Sequence, residues 1–117
     1  KMPRELARTL GLWYSAYNVK HMLEVCEMAV VINPSLYDVK SSDGRGIGTA
    51  VAFIAGYLGK SVTDFAPYQQ ISGWDKCADE ICWIVKWADK YDPSKNYGTT
   101  FQKYSSRLTD HVNQLLY

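Results

Sequence analysis

Arg8 and Tyr14 stand six residues apart, at the mouth of an aromatic-rich segment that continues Ser15-Ala16-Tyr17-Asn18. A guanidinium and a phenol held that close suit one kind of chemistry. The cation neutralises a substrate carboxylate, and the phenol moves a proton to or from the carbon that the neutralised acid makes acidic. If a helix runs through Trp13, then Tyr14, Asn18 and His21 share a face, being four and then three residues apart. On spacing alone, a core helix with a capped start and an arginine bound to a carboxylate such as Glu5 accounts for the same pattern better. His21, on that helix, reads as a structural or partly exposed histidine.

Four helical patterns would position these groups. The first runs from about Ser15 to Val31, where Tyr14, Asn18, His21, Val25 and Met28 recur at helical steps with Met22 and Ala29 beside them, and Asn33-Pro34 ends it. Residues 34–46 form a loop in which Leu36 to Val39 reads as extended and Asp43-Gly44 as a turn. The second helix, about Ile47 to Leu58, is apolar almost all round, as a helix with neighbours on several sides would be, and close packing would explain Gly48 and Gly56. After a second loop, 59–73, the third helix runs from about Asp75 to Tyr91 with Ile81, Ile84, Val85 and Ala88 as its apolar stripe. Asp75 suits its N-cap or first turn. Asp79, Glu80 and Asp89 lie on its polar side and read as a solvated face. Trp74, Trp83 and Trp87 read as core or inter-helix contacts. A last helical region spans about Tyr97 to Leu116. Helices joined by loops, with no alternating strand, give an all-α class.

Composition narrows the partners. The chain has 117 residues, 47% hydrophobic and 21% charged, which suits one globular unit rather than a disordered tail. The net charge is +1 with no basic tract, so nothing argues for nucleic acid or an anionic membrane surface. No apolar run approaches the roughly 20 residues needed to span a bilayer. Three cysteines, Cys26, Cys77 and Cys82, make no disulfide framework. One bridge from Cys26 to Cys77 or Cys82 stays open, beside the simpler reading of buried small hydrophobes. No metal site is expected, because neither His21 nor His111 lies near a cysteine pair.

Three segments carry a resemblance. They are Pro3 with Glu5-Leu6-Ala7-Arg8, Tyr14 and Tyr17-Asn18; then Asp43-Gly44-Arg45 before the second helix; then Pro67-Tyr68-Gln69-Gln70-Ile71. In this order they resemble the alginate lyase-like polysaccharide lyases. The resemblance implies part of an incomplete (α/α) toroid of antiparallel helical hairpins, with residues 1–117 as the C-terminal portion of one domain whose N-terminal part is absent. It implies β-elimination at a uronic acid in an anionic polysaccharide, alginate or glucuronan, with no cofactor, in an extracellular or periplasmic setting. Carried over position by position, Tyr14 matches the catalytic tyrosine and Arg8 the arginine. Some members space these two one residue further apart. Trp13 and Tyr17 would stack on sugar rings, with Asn18 beside them. Arg45 would bind a substrate carboxylate or fix its loop by a salt bridge, and Tyr37 suits the core. The family's earlier Asn-His pair has no counterpart here, so the chain alone lacks part of the catalytic set.

Two other readings remain at this point. One is a non-catalytic carbohydrate-binding or structural domain of the same fold. The other is a glycoside hydrolase, which needs two carboxylates facing one cleft, with Glu5 and Asp43 as the loop-borne candidates.

Overall fold

The computed structural model describes residues 3–105. His111 and the end of the last helical region lie outside the described residues, as does the side chain of Glu5. Among the described residues five α-helices follow one another: α1 Pro3–Leu6, α2 Gly11–Ala29, α3 Ile47–Ala55, α4 Trp74–Ala88 and α5 Tyr97–Tyr104. Among the described residues there is no strand, only isolated bridges pairing Leu10 with Gln70 and Lys40 with Gly46. The class is all-α, as expected. Among the described residues no helix is long and apolar enough to cross a membrane.

The longest helix, α2, buries Leu12, Ala16, Val19, Leu23 and Cys26, which recur at steps of four and three. It packs on α3 and α4, α4 packs on α5, and α1 folds against the start of α2. Each of Leu12, Leu23, Ile54, Ile81 and Ile84 is almost wholly buried, worth roughly 1.5–3 kcal/mol apiece relative to exposure. The expected face of Tyr14, Asn18, His21, Val25 and Met28 is therefore the outer one. Val25 is 47% and Met28 76% exposed. Both sets obey helical spacing, and the buried set wins because none of its side chains carries a ring, a carboxamide or a charge.

Two other elements differ from expectation. Leu36–Asp38 is a 3₁₀ turn rather than an extended segment. It is closed by the Asp38 and Val39 amides bonding back to Ser35 and Leu36, and it swings Tyr37 inward to stack on Tyr91, ring centres 5.2 Å apart. α3 buries Ala50, Val51 and Ile54 on one face, while Ala52 and Gly56 are exposed. Within the described residues it thus has neighbours on one side. Close packing does explain Gly48, whose added Cβ would sit 3.2 Å from the Tyr37 ring.

On α4 the expected stripe of Ile81, Ile84, Val85 and Ala88 is buried, and so is Trp83. The Trp83 ring meets Phe101 of α5 at 5.3 Å. Asp79, Glu80 and Asp89 are half-buried rather than solvated, and Glu80 pairs with Lys20 of α2 at 3.2 Å. None of the three cysteines forms a disulfide, and all are buried. Burial and the nearby Glu80 push the Cys77 thiol up to about 12.

The loop before α4 is anchored by an aromatic cluster. Phe65, fully buried, meets Tyr57 at 5.0 Å, Tyr68 at 5.5 Å and Trp74 at 5.9 Å. The Trp74 indole donates to the Lys60 carbonyl at 3.0 Å. This anchoring fixes the segment from Pro67 to Ile71 against the start of α2.

Candidate functional site

The start of α2 is held from far away in sequence. The Gly11 amide donates to the Gln69 carbonyl at 2.8 Å, and the Ile71 amide donates to the Thr9 carbonyl at 3.0 Å. Residues 9–11 and 69–71 thus form a short antiparallel pair. The N-cap residue Leu10 offers no side-chain hydrogen bond. In its place the Gln70 carboxamide oxygen accepts the Leu12 and Trp13 amides at 3.1 and 3.0 Å. The helix therefore begins four residues before the expected Ser15, because its cap comes from Gln70.

Arg8 lies just before this helix and Tyr14 one turn inside it. The Arg8 guanidinium carbon lies 3.6 Å from the centre of the Tyr14 ring, a cation stacked on an aromatic face. Arg8 is exposed and Tyr14 half-buried. The six-residue gap is thus spanned by a turn that brings cation and phenol together. Beside them opens a cleft of about 370 Å³, with Pro3, Leu6, Ala7 and Arg8 on one wall and Pro67, Tyr68 and Gln69 on the other. Two of the three motif segments, some sixty residues apart in sequence, are the two walls of one cleft.

Further along α2 the outer face carries Trp13, Tyr17 and Asn18. Trp13 and Asn18 are half-buried, and Tyr17 is 52% exposed. Trp13, Tyr17, Lys20 and Glu80 line a second hollow of about 160 Å³. The His21 ring stands edge-on to Tyr17 at 4.3 Å, and its Nδ1 bonds Glu24 at 2.9 Å. His21 is accordingly a partly exposed, paired histidine, as expected.

Arg45 is placed differently. It sits in the exposed turn 41–45, its Nε donating to Asp43 at 3.0 Å. It lines neither the cleft nor the hollow. The Ser41 hydroxyl also donates to Asp43. These bonds, Ser41's first and Arg45's second, hold the Asp43 carboxyl down at about 2. Asp43 is thus committed to its own turn, which removes it as half of a hydrolytic carboxylate pair. Among the described residues no group of His, Cys, Asp and Glu is arranged to hold a metal ion.

Sequence reasoning passed over the roles of Tyr68, Gln70 and Lys20. Tyr68 and Gln70 belonged to a quoted motif, but nothing local says that one forms a cleft wall and the other caps a helix 58 residues away.

Comparison with known proteins bears on the whole arrangement. The family model described as "Alginate lyase" matches residues 1–63. The fold is similar to the crystal structure of an alginate lyase from Bacteroides ovatus, with a TM-score of 0.83 and 40% sequence identity. That similarity covers 89% of this chain and 27% of the other, so the chain spans about a quarter of that enzyme's length. No curated protein matches. An all-α fragment of the toroidal kind agrees with both findings, and the chain belongs to the alginate lyase family.

Proposed function

We propose that this chain carries part of the active site of a polysaccharide lyase that cleaves a uronic-acid polymer, polymannuronate or glucuronan, by β-elimination. The observation that carries the reading is the Arg8 guanidinium lying 3.6 Å over the Tyr14 ring at the edge of a cleft, in a chain of the alginate lyase family. Arg8 neutralises the C6 carboxylate of the sugar being cut. With that charge masked, the C5 proton becomes removable, and the enolate-like charge that develops is stabilised. A base supplied by the rest of the domain takes the C5 proton, the C5–H electron pair forms the C4–C5 double bond, and the C4–O4 bond breaks toward oxygen. Tyr14 gives its phenolic proton to that leaving oxygen. The product is an unsaturated, ultraviolet-absorbing sugar end.

Trp13 and Tyr17 supply ring faces for neighbouring sugars, and Asn18, one turn beyond Tyr14, supplies polar contact to the substrate. Arg45 would have to leave Asp43 to bind a carboxylate, so its first role is to fix the turn before α3. Residues 1–117 make up the C-terminal portion of one helical domain, and the rest of that domain supplies the remaining catalytic groups. A polymeric acid of this kind is met outside the cytoplasm, so extracellular or periplasmic placement belongs to the same proposal.

The test is Tyr14→Phe in the intact protein, given polymannuronate and glucuronan. The expected result is loss of the unsaturated chromophore with an unchanged circular dichroism spectrum. Native activity in that variant removes Tyr14 from the mechanism. Uronan binding without any chromophore in the native protein favours the non-catalytic binding reading.

A further inference from the structure

The stacked pair is not held by its own contact. A cation over an aromatic ring at an exposed site contributes only about 0.5–1 kcal/mol, too little to fix two segments that meet at a bend. Arg8 lies before the bend and Tyr14 beyond it, its amide bonded to the Leu10 carbonyl at 3.1 Å. What fixes the bend is Gln70. This side chain is 5% exposed. Its oxygen accepts the Leu12 and Trp13 amides, and its nitrogen donates to the Ser72 carbonyl at 2.7 Å. Its backbone neighbours are bonded to Thr9 and Gly11. No acidic side chain stands in the first turn of α2 and Leu10 cannot cap it, so Gln70 is the side chain that satisfies the opening amides.

The chemistry of the carboxamide also matters. A carboxylate would cap a helix start more strongly, since anions are favoured there. It would also put a negative charge beside the place where Arg8 must accept one. A carboxamide caps while staying neutral, and it can donate to Ser72 at the same time. We infer that Gln70 is a positioning residue: it sets the Arg8–Tyr14 geometry and, being neutral, adds no competing charge of its own to that end of α2.

Two variants of the intact protein separate these roles. Gln70→Met keeps the length of the side chain and removes every hydrogen bond. It should lower kcat about 10- to 100-fold while KM changes less than about threefold, as expected when reacting groups are misplaced rather than binding lost. Gln70→Glu restores both caps, gives up the bond to Ser72 and adds the charge. Its kcat should return to within about threefold of native, while KM rises several-fold at low salt and the rise shrinks as salt is added. These rate measurements rest on the lyase reading.

A second measurement does not. With fluorotyrosine at position 14 the fluorine resonance should move in Gln70→Met and return in Gln70→Glu, while a label at Tyr17 stays put. An unmoved Tyr14 resonance in folded Gln70→Met overturns the inference whatever the rates do. If Gln70→Met does not fold, Gln70→Glu decides: a native-like resonance at position 14 supports the positioning role, and a displaced one overturns it. If the native protein makes no unsaturated product, the lyase reading falls and the fluorine measurement still judges Gln70.

Discussion

The two ends of α2 use charge in opposite ways. At its start a neutral carboxamide from a distant loop holds the helix, and Arg8 rests on the face of Tyr14 at the surface. At its other end Glu27 is met by the end of α4 and the residues just after it. Its Oε1 accepts the Trp87 indole and the Tyr91 hydroxyl, each at 2.7 Å, and pairs with Lys90. The second arrangement consumes the acceptor and joins two helices. The first engages the flat face of a guanidinium, whereas carboxylates are gripped by its edge. Glu27, satisfied by fixed donors, is a joint, whereas on the proposed reading Arg8 at the cleft serves a ligand.

The largest expected effect separates these two ends by activity. Tyr14→Phe should lower the elimination rate by about two to four orders of magnitude, the usual worth of a positioned proton donor, with the thermal midpoint unchanged. Glu27→Ala should do the reverse. It leaves the Trp87 and Tyr91 donors unmet, which costs about 1–2 kcal/mol after allowing for the partial exposure of the site. Thirteen residues along a helix separate it from Tyr14, about 20 Å, so the rate below the melting range should stay close to native. Urea unfolding and a chromophore assay on both variants give the two readings. If Glu27→Ala loses activity in proportion to Tyr14→Phe while still folded, the two ends are not distinct in kind.

The same contrast explains what was legible beforehand. The α4 stripe of Ile81, Ile84, Val85 and Ala88 depends on spacing within one segment, and spacing is what a sequence displays, whereas Arg8 and Tyr14 are singled out by the motif they share and not by their spacing. The start of α2 depends on Gln70, and the wall of the cleft on Tyr68. Both are tertiary facts with no local signal. Tyr14, Val25 and Met28 on the outer face of α2 obey the same period as the buried Leu12, Ala16, Val19 and Leu23. Periodicity identifies a helix without saying which of two apolar stripes faces in. The turn at Leu36–Asp38 escaped notice because Tyr37 is drawn inward by Tyr91, 54 residues later.

A smaller effect probes the joint itself. The Tyr37 hydroxyl is buried without a hydrogen-bond partner among the described residues, and its pKa is raised by burial first and by the neighbouring Tyr97 and Asp92 second. Its ring stacks on Tyr91, whose own hydroxyl serves Glu27. Tyr37→Phe keeps the stack and removes the unmet hydroxyl, so stability should hold or rise by up to about 1 kcal/mol. A clear loss in urea unfolding would show that the hydroxyl is bonded and that this end of α2 is more polar than Glu27 alone makes it.

The smallest effect tests whether Arg45 belongs with the joints or with the site. Asp43 is held at about 2, below its ordinary 3.8, by Ser41 and then Arg45. A carboxyl lowered in the folded state stabilises above its ordinary value and loses that contribution as pH falls through the folded one. The turn 41–45 should therefore hold at neutral pH and loosen only between about 4 and about 2, with the Asp43 carboxyl resonance titrating at the lower end. Asp43→Asn removes that response and leaves Arg45 without its charged partner in the turn. If Arg45 only fixes the turn, KM for a uronan stays within about twofold of native. If the guanidinium reaches substrate, its release from Asp43 lowers KM, and more so at low salt, where an exposed cation is least screened. That second outcome would move Arg45 to the ligand-binding side of the comparison, and would mean that a satisfied ion pair in this fold can still be a site waiting for a stronger acid.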